Sequence, residues 1–275
     1  MAAKVIAIVN QKGGVGKTAT CESLGVGLSR DGYDVLLVDT DPQASLTTCM
    51  YKGDPDELPA TITDVFINEM EGGDLQNKDV IMHSIEDVDL VPSDITLSGI
   101  EVRLVNEMSR ERLLGNFLNT VKDEYDFILI DCSPSLGMIT INALAAADSV
   151  IIPVEPTYKS EKGMELLLQT IRNIQRKINP DLKIDGILLN KVNPRANSTK
   201  EIIARLREKY NVYDTQIPIS VREQESGAKG LSIYSYDGKG KVAEAYERLT
   251  QEVALQGDEA RHKSAPEKRR TGPKL

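Results

Sequence analysis

Apolar residues along this chain fall in short unbroken runs separated by longer amphipathic stretches. The runs at 4–9, 34–38, 88–91, 126–130, 149–153, 183–189 and 215–217 are mostly continuous Val, Ile and Leu. That is the pattern of parallel strands covered on both faces. Between most of them the apolar spacing is helical, at 17–30, 61–70, 94–121 (read as two helices), 138–147, 158–177, 198–210 and 239–254. Ser198 with Glu201 three residues later reads as a capping box. Alternating strands and helices predict an α/β fold of phosphate-loop type. It is a doubly wound, mostly parallel sheet with helices on both faces, and a single domain over residues 1–255. Residues 51–87 are polar, carry Gly-Asp-Pro and Glu-Gly-Gly-Asp turns, and resist assignment.

Ligands of such sheets bind beyond the carboxyl ends of the strands, and the residues there are the most specific in the chain. The first run opens into Asn10-Gln11-Lys12-Gly13-Gly14-Val15-Gly16-Lys17-Thr18. A glycine-rich turn between a buried strand and a helix points backbone N–H groups at phosphate oxygens, and the helix N-terminus favours the same anion. Lys17 is expected on the β- and γ-phosphates and the Thr18 hydroxyl on Mg²⁺. Gln11 stands where the strict phosphate-loop pattern has its first glycine, and Lys12 adds a second lysine inside the loop. The second run ends in Asp39-Thr40-Asp41-Pro42-Gln43 and the run 126–130 in Asp131-Cys132-Ser133-Pro134. Taken singly, each aspartate reads as an ordinary strand-end residue capping a turn, the commoner role. Beside a Lys-Thr loop they form a set that can hold a metal's hydration shell and orient an attacking water.

Composition narrows the function classes. Three scattered cysteines and the absence of a CxxC or Cys/His cluster suit a reducing compartment and leave no motif for a structural metal. The two histidines, His83 and His262, lack neighbours in sequence, so His-based catalysis is not expected. No apolar run reaches 18 residues and the first strand starts at about residue 4, so neither a membrane span nor a signal peptide is expected. The net charge is −9, but residues 261–275 hold six Lys/Arg against one Glu, +5, leaving −14 on the rest. Residues 256–275 therefore read as a basic, disordered tail that either contacts nucleic acid or only aids solubility.

The stretches Gln11–Thr18, Val38–Gln43 and Ile130–Leu136, in this order and spacing, resemble the deviant-Walker-A ATPases of the ParA/MinD superfamily. The likeness is greatest to the small Soj-like ParA partition proteins and extends over about residues 3–254. It implies ATP and Mg²⁺ as ligands and a homodimer that sandwiches two nucleotides. Lys12 would reach the nucleotide of the second copy, Lys17 would act in cis, and Asp41 would orient the hydrolytic water. Thr18, Asp39 and Asp131 would serve the metal. The nucleotide site would comprise Lys12, Gly13, Gly14, Val15, Gly16, Lys17, Thr18 and Ala19, with Asn190 and Pro218 lining the adenine pocket. Asn190 also fits a plain turn at a strand end.

The resemblance further implies non-specific double-stranded DNA as a partner, bound by the ATP dimer through Arg195 and Arg222 on strand-end loops away from the phosphate loop. Lys191, Lys200, Arg205, Arg207 and Lys229 would extend the patch. Glu201, Glu208, Glu223 and Glu225 are interleaved, so a salt-bridged helix face competes with a phosphate contact at each arginine. A helix-turn-helix before the first strand does not fit, so operator recognition is not expected. The end, Ser264–Leu275, has two prolines and no apolar face, which argues against the amphipathic membrane helix of MinD-like positioning proteins. The implied function is a cytoplasmic, nucleoid-associated chromosome or plasmid segregation ATPase, slow without a ParB-type partner that stimulates hydrolysis. The alternatives are a MinD-like positioning ATPase and a small-molecule ligase or kinase sharing the loop.

Overall fold

The computed structural model describes residues 2–53, 57–158 and 160–264. Eight strands form one sheet in the order β3-β4-β2-β5-β1-β6-β7-β8. The strands are β1 (Lys4–Ile8), β2 (Val35–Thr40), β3 (Met82–His83), β4 (Asp89–Val91), β5 (Phe127–Cys132), β6 (Ser149–Val154), β7 (Lys183–Val192) and β8 (Val212–Pro218). Every pairing is parallel except the two-residue edge strand β3, which runs antiparallel to β4.

The unbroken apolar runs are explained by burial on both faces. Every residue of β2, β5 and β6 is buried. Successive side chains point to opposite faces of a strand, so Val5, Ala7, Leu36, Val38, Ile128, Ile130, Val150 and Ile152 enter one core, while Ile6, Ile8, Leu37, Leu129 and Ile151 enter the other. The first core is covered by α3 (Ile62–Glu71), α5 (Leu97–Arg103), α6 (Leu113–Val121), α7 (Met138–Ala146), α8 (Ser160–Lys177) and α9 (Asn197–Lys209). The second is covered by α1 (Lys17–Arg30), α2 (Ser45–Met50), α11 (Ile233–Asp237) and α12 (Lys241–Ser264). Central β1 lies where the chain's winding reverses. From β1 it moves to β2 on one side, and after β5 it crosses to β6, β7 and β8 on the other. The loop after β1 therefore sits in the crevice that doubly wound sheets offer to ligands.

Three expectations change. The capping box at Ser198 does not form the helix start, because α9 begins at Asn197 with Ala196 as its cap. Helix α12 continues to Ser264, so the first nine residues of the expected tail are helical; residues 265–275 lie outside the described part. Between β2 and β4, and after β8, the short α2, α4 (Asn77–Val80), α10 (Val221–Ala228) and α11 add helices that the apolar spacing did not reveal. Each spans eight residues or fewer, too short for a 3.6-residue period to register.

Candidate functional site

The loop after β1 is shaped by its own sequence. Asn10 is buried; its Nδ2 donates to the Pro153 carbonyl at the end of β6 (2.7 Å), and its Oδ1 accepts from the Lys12 backbone N–H (2.9 Å). One side chain thus fixes both the loop's start and its first turn. Gly14 and Gly16 have φ of 72° and 89°, conformations that favour glycine. A Cβ on Gly16 would also meet Asn190 Nδ2 at 2.3 Å. Gly16 caps α1 without a side-chain partner, and the first turn of α1 holds no acid, leaving that helix end open to an anion. The crest, Lys12 to Gly14, is exposed, while Val15 and Lys17 are buried.

The two loop lysines face different surroundings. Lys17 is only 7% exposed and its charge favours ionisation of Asp131. Lys12 Nζ pairs with Glu155 Oε2, just beyond β6, at 2.6 Å, with both side chains partly exposed. Lys12, Glu155, Asn10, Gln11, Val15, Pro134, Val154, Ser160 and Gly163 border a cavity of about 440 Å³ beside the loop.

The two strand-tip carboxylates stand side by side, since Asp39 of β2 registers with Asp131 of β5. Thr18 Oγ1 donates to Asp131 Oδ2 (2.7 Å), and Asp131 Oδ1 is buried with no hydrogen-bond partner. Burial, and next the charge of Asp39, push the Asp131 carboxyl well above its usual pKa. Burial raises Asp39 to about 6, against hydrogen bonds from Thr47 and Asp41 that lower it. Asp39 accepts from Thr47 N–H (2.9 Å), Thr47 Oγ1 (2.8 Å) and Asp41 N–H (3.1 Å). It thereby pins α2 and the turn that presents Asp41, a supporting role in addition to the metal-side role expected of it. Asp41 itself is half-exposed, and its Oδ1 accepts from Gln43 N–H (3.0 Å).

The remaining site residues lie beneath the loop, in the first turn of α1 and at the end of β8. Asn190 is fully buried; its amide lies beneath the loop, near Gly16 O (3.5 Å) and Thr20 Oγ1 (3.4 Å). Asn190 therefore lies beneath the phosphate loop at the end of β7. Pro218, at the end of β8, borders a separate cavity of about 320 Å³ with Val192, Pro194, Gln216, Lys241, Glu244 and Arg248. Ala19 is half-buried in the first turn of α1.

Arg195 is exposed, and Arg222 pairs with Glu225 (3.5 Å) while lying over the Tyr236 ring (5.9 Å) beside Lys229 (4.7 Å). Two residues expected in this patch are otherwise engaged. Arg207 pairs with Asp214 (3.3 Å), and Lys191 Nζ donates to the Gly14 carbonyl (2.7 Å). The strand end leading to Arg195 is thus in contact with the phosphate loop, not remote from it. His83, isolated in sequence, has Asp89 (2.9 Å) and Asp87 (3.2 Å) on its ring nitrogens, but it lies on edge strand β3, paired to the first residue of β4, away from the strand tips that carry the site.

A parallel sheet whose central strand feeds a lysine-bearing glycine loop and a helix defines a phosphate-loop nucleotide-binding protein. The AAA domain family matches residues 3–184. The sporulation initiation inhibitor protein Soj of Bacillus subtilis is 41% identical over 258 residues, covering 92% of this chain and 99% of that protein. The chromosome partitioning protein ParA of Myxococcus xanthus is 38% identical over 252 residues, covering 91% and 87%. The crystal structure of cobyrinic acid a,c-diamide synthase from Mycobacterium smegmatis with bound ADP and magnesium matches with a TM-score of 0.81 and 32% identity, covering 94% of this chain and 96% of that one. The chain belongs to the ParA/MinD superfamily of deviant-Walker-A ATPases, with its Soj-like members.

Proposed function

We propose that this chain is a DNA partition ATPase that binds ATP and Mg²⁺, dimerises around two nucleotides, holds double-stranded DNA without sequence preference, and is reset by hydrolysis stimulated by a ParB-type partner. Its place is the cytoplasm, on the nucleoid. The observation that carries this reading is the separation of the two loop lysines. Lys17 is buried within the loop's base, where it meets the phosphates of its own nucleotide. Lys12 projects from the crest onto Glu155, placed to leave that partner for the phosphates bound by a second copy. A lysine supplied in trans adds the positive charge that an arginine finger adds elsewhere.

The residues fit a magnesium ion on their own chemistry. Thr18 offers a hydroxyl, and Asp131 has a buried oxygen without a partner, both oxygen donors of the kind a hard cation that keeps its waters takes. Thr18 would hold the ion directly and Asp131 through water, with Asp39 supporting from the neighbouring strand; when bound, the ion neutralises charge on the β- and γ-phosphates. The loop amides from Gly13 to Ala19 bind the phosphates, Asp41 orients the attacking water, and Pro218 and Asn190 limit the base's position.

DNA binding rests on Arg195 and Arg222. The ends of β7 and β8 are joined through Ile219 N–H to Val192 O (3.1 Å), so the loops bearing the two arginines are neighbours. Phosphate contacts require only clustered charge, which an acidic protein can present. Size-exclusion chromatography tests the cycle. With ATP and Mg²⁺ the wild type shifts to dimer, Asp41→Ala accumulates as dimer, and Lys12→Ala stays largely monomeric with hydrolysis lost. An Asp41→Ala protein that remains monomeric while the wild type dimerises contradicts the reading.

A second reading, ATP-dependent amidation of a small carboxylic acid, is favoured by the cavity of about 440 Å³ beside the loop and by the name of the synthase neighbour. ATP turnover that depends on a small acid and an ammonia donor, and not on DNA, would select it. None of the described helices is long and apolar enough to cross a membrane.

A further inference from the structure

Strand β7 is irregular at the point where it passes the phosphate loop. Its pairing with β8 shifts register between Leu189 and Val192. Leu189 and Val192 lie three residues apart yet enter the same core, which strict alternation forbids. A bulge at 190–191 accounts for this, and bulges re-aim side chains beside functional sites. Asn190 turns under Gly16, and Lys191 adopts φ 54°, a left-handed conformation uncommon for lysine. Two contacts hold it there: its N–H donates to Asn190 Oδ1 (2.9 Å) and its Nζ to the Gly14 carbonyl (2.7 Å). Such a conformation persists only where its surroundings over-determine it.

The carbonyl of Gly14 and the N–H of Val15 belong to one trans peptide and point in opposite directions. A fixed ammonium on that carbonyl therefore fixes the direction of the Val15 N–H. We propose that Lys191 is a positioning residue of the phosphate loop, holding the Gly14–Val15 peptide in its phosphate-accepting orientation before nucleotide arrives. The inference rests on the nucleotide-binding reading of the loop. The same lysine stands near enough to Glu223 of α10 to favour that carboxylate's charge, against the burial that raises its pKa. Pre-organisation of this kind strengthens binding by removing the cost of ordering the loop.

Calorimetry with ADP and Mg²⁺, and backbone hydrogen exchange of residues 12–18 in nucleotide-free protein, test it in the full chain. Lys191→Met, which keeps the stem and removes the donor, is expected to bind ADP about tenfold more weakly, the loss typical of one charge-assisted hydrogen bond. Its nucleotide-free loop should exchange faster, with an unchanged melting temperature. Lys191→Arg should restore both affinity and protection. Wild-type affinity in Lys191→Met overturns the proposal. So does weakened affinity with unchanged loop exchange, which would mean the ammonium acts on the phosphate directly. An arginine variant that behaves like the methionine variant overturns it as well. If the wild type binds no ADP, the nucleotide reading fails, and loop exchange alone still decides whether the tether exists.

Discussion

The polar groups that brace the phosphate loop from beneath are largely buried and hold one another, whereas those on the α9–α10 face are exposed and several pair with nearby acids. At the loop, Asp39 grips Thr47, Thr47 Oγ1 accepts from Ser93 N–H (2.8 Å), Thr18 bonds Asp131, and Asn10 ties β1 to β6. On the α9–α10 face, Arg222 is 61% exposed and shares Glu225 with Tyr236, and Arg207 meets Asp214. A buried polar group costs stability unless it is satisfied, so the loop region tolerates few substitutions and its function is written in residue identity. An exposed charge contributes little to folding, so the surface function is written only in where charges cluster.

The comparison breaks most visibly at Glu22, a buried α1 residue whose Oε1 has no hydrogen-bond partner. Burial first, then the charges of Glu86 and Glu223, raise its carboxyl from 4.5 to about 8. The folded state therefore binds this proton more tightly than the unfolded chain. The contribution of this carboxyl to stability is fully present below about 4.5 and is lost as pH rises toward 8, on the order of 4 kcal/mol. Denaturation of nucleotide-free protein between pH 5 and 8.5 should show this slope in the wild type and a flatter one in Glu22→Gln. Identical slopes would mean that the carboxyl is not held neutral. Next in size is Lys17→Ala, which removes the buried lysine of the loop. Nucleotide affinity should drop at least about a hundredfold, as when a buried charge-assisted contact is deleted. Tight ATP binding by that variant in calorimetry would remove the loop assignment.

On the surface side the effects shrink. Arg195→Glu and Arg222→Glu should each lower DNA affinity by about tenfold at moderate salt, alike for unrelated sequences, and should reduce the salt slope. Basal ATPase should stay unchanged, and truncation after residue 255 should leave binding intact. If the truncation abolishes binding and the two reversals do not, the basic end is the DNA contact. Smallest is Glu155→Gln. The Lys12–Glu155 pair is partly exposed and worth under about 1 kcal/mol. Its loss should free Lys12 and raise the ATP-dependent dimer fraction by no more than a few fold, read by light scattering. A fall in dimer would show that Glu155 itself serves the interface.

The same contrast governs what was legible in the sequence. The run Val5 to Val9, the glycine loop and helix 17–30 were readable because burial on both faces of β1 and the phosphate geometry each restrict residue choice. Asp39 and Asp131 were readable as a set because two apolar runs end in aspartate beside a Lys-Thr loop, while their register is a property of the folded sheet. Lys191 was not readable as a loop contact, because its direction depends on a bulge between β7 and β8 that no local pattern encodes. Helix α10 was missed for a related reason. Its eight residues are secured by the Ser220 cap and by Tyr246 OH on Glu223 (3.1 Å), a contact across 23 residues. Arg195 and Arg222 could be named only through family likeness, since interleaved acids obscure any basic stripe.

The most direct measurement is the affinity of the wild-type protein for a fluorescent duplex of arbitrary sequence, titrated with ATP–Mg²⁺ and with ADP–Mg²⁺ across a range of salt. A partition ATPase of this kind binds with ATP, releases with ADP, treats unrelated duplexes alike and weakens steeply as salt rises. Binding that is indifferent to nucleotide, or absent with ATP while a small acid stimulates ATP turnover, would contradict the proposed function.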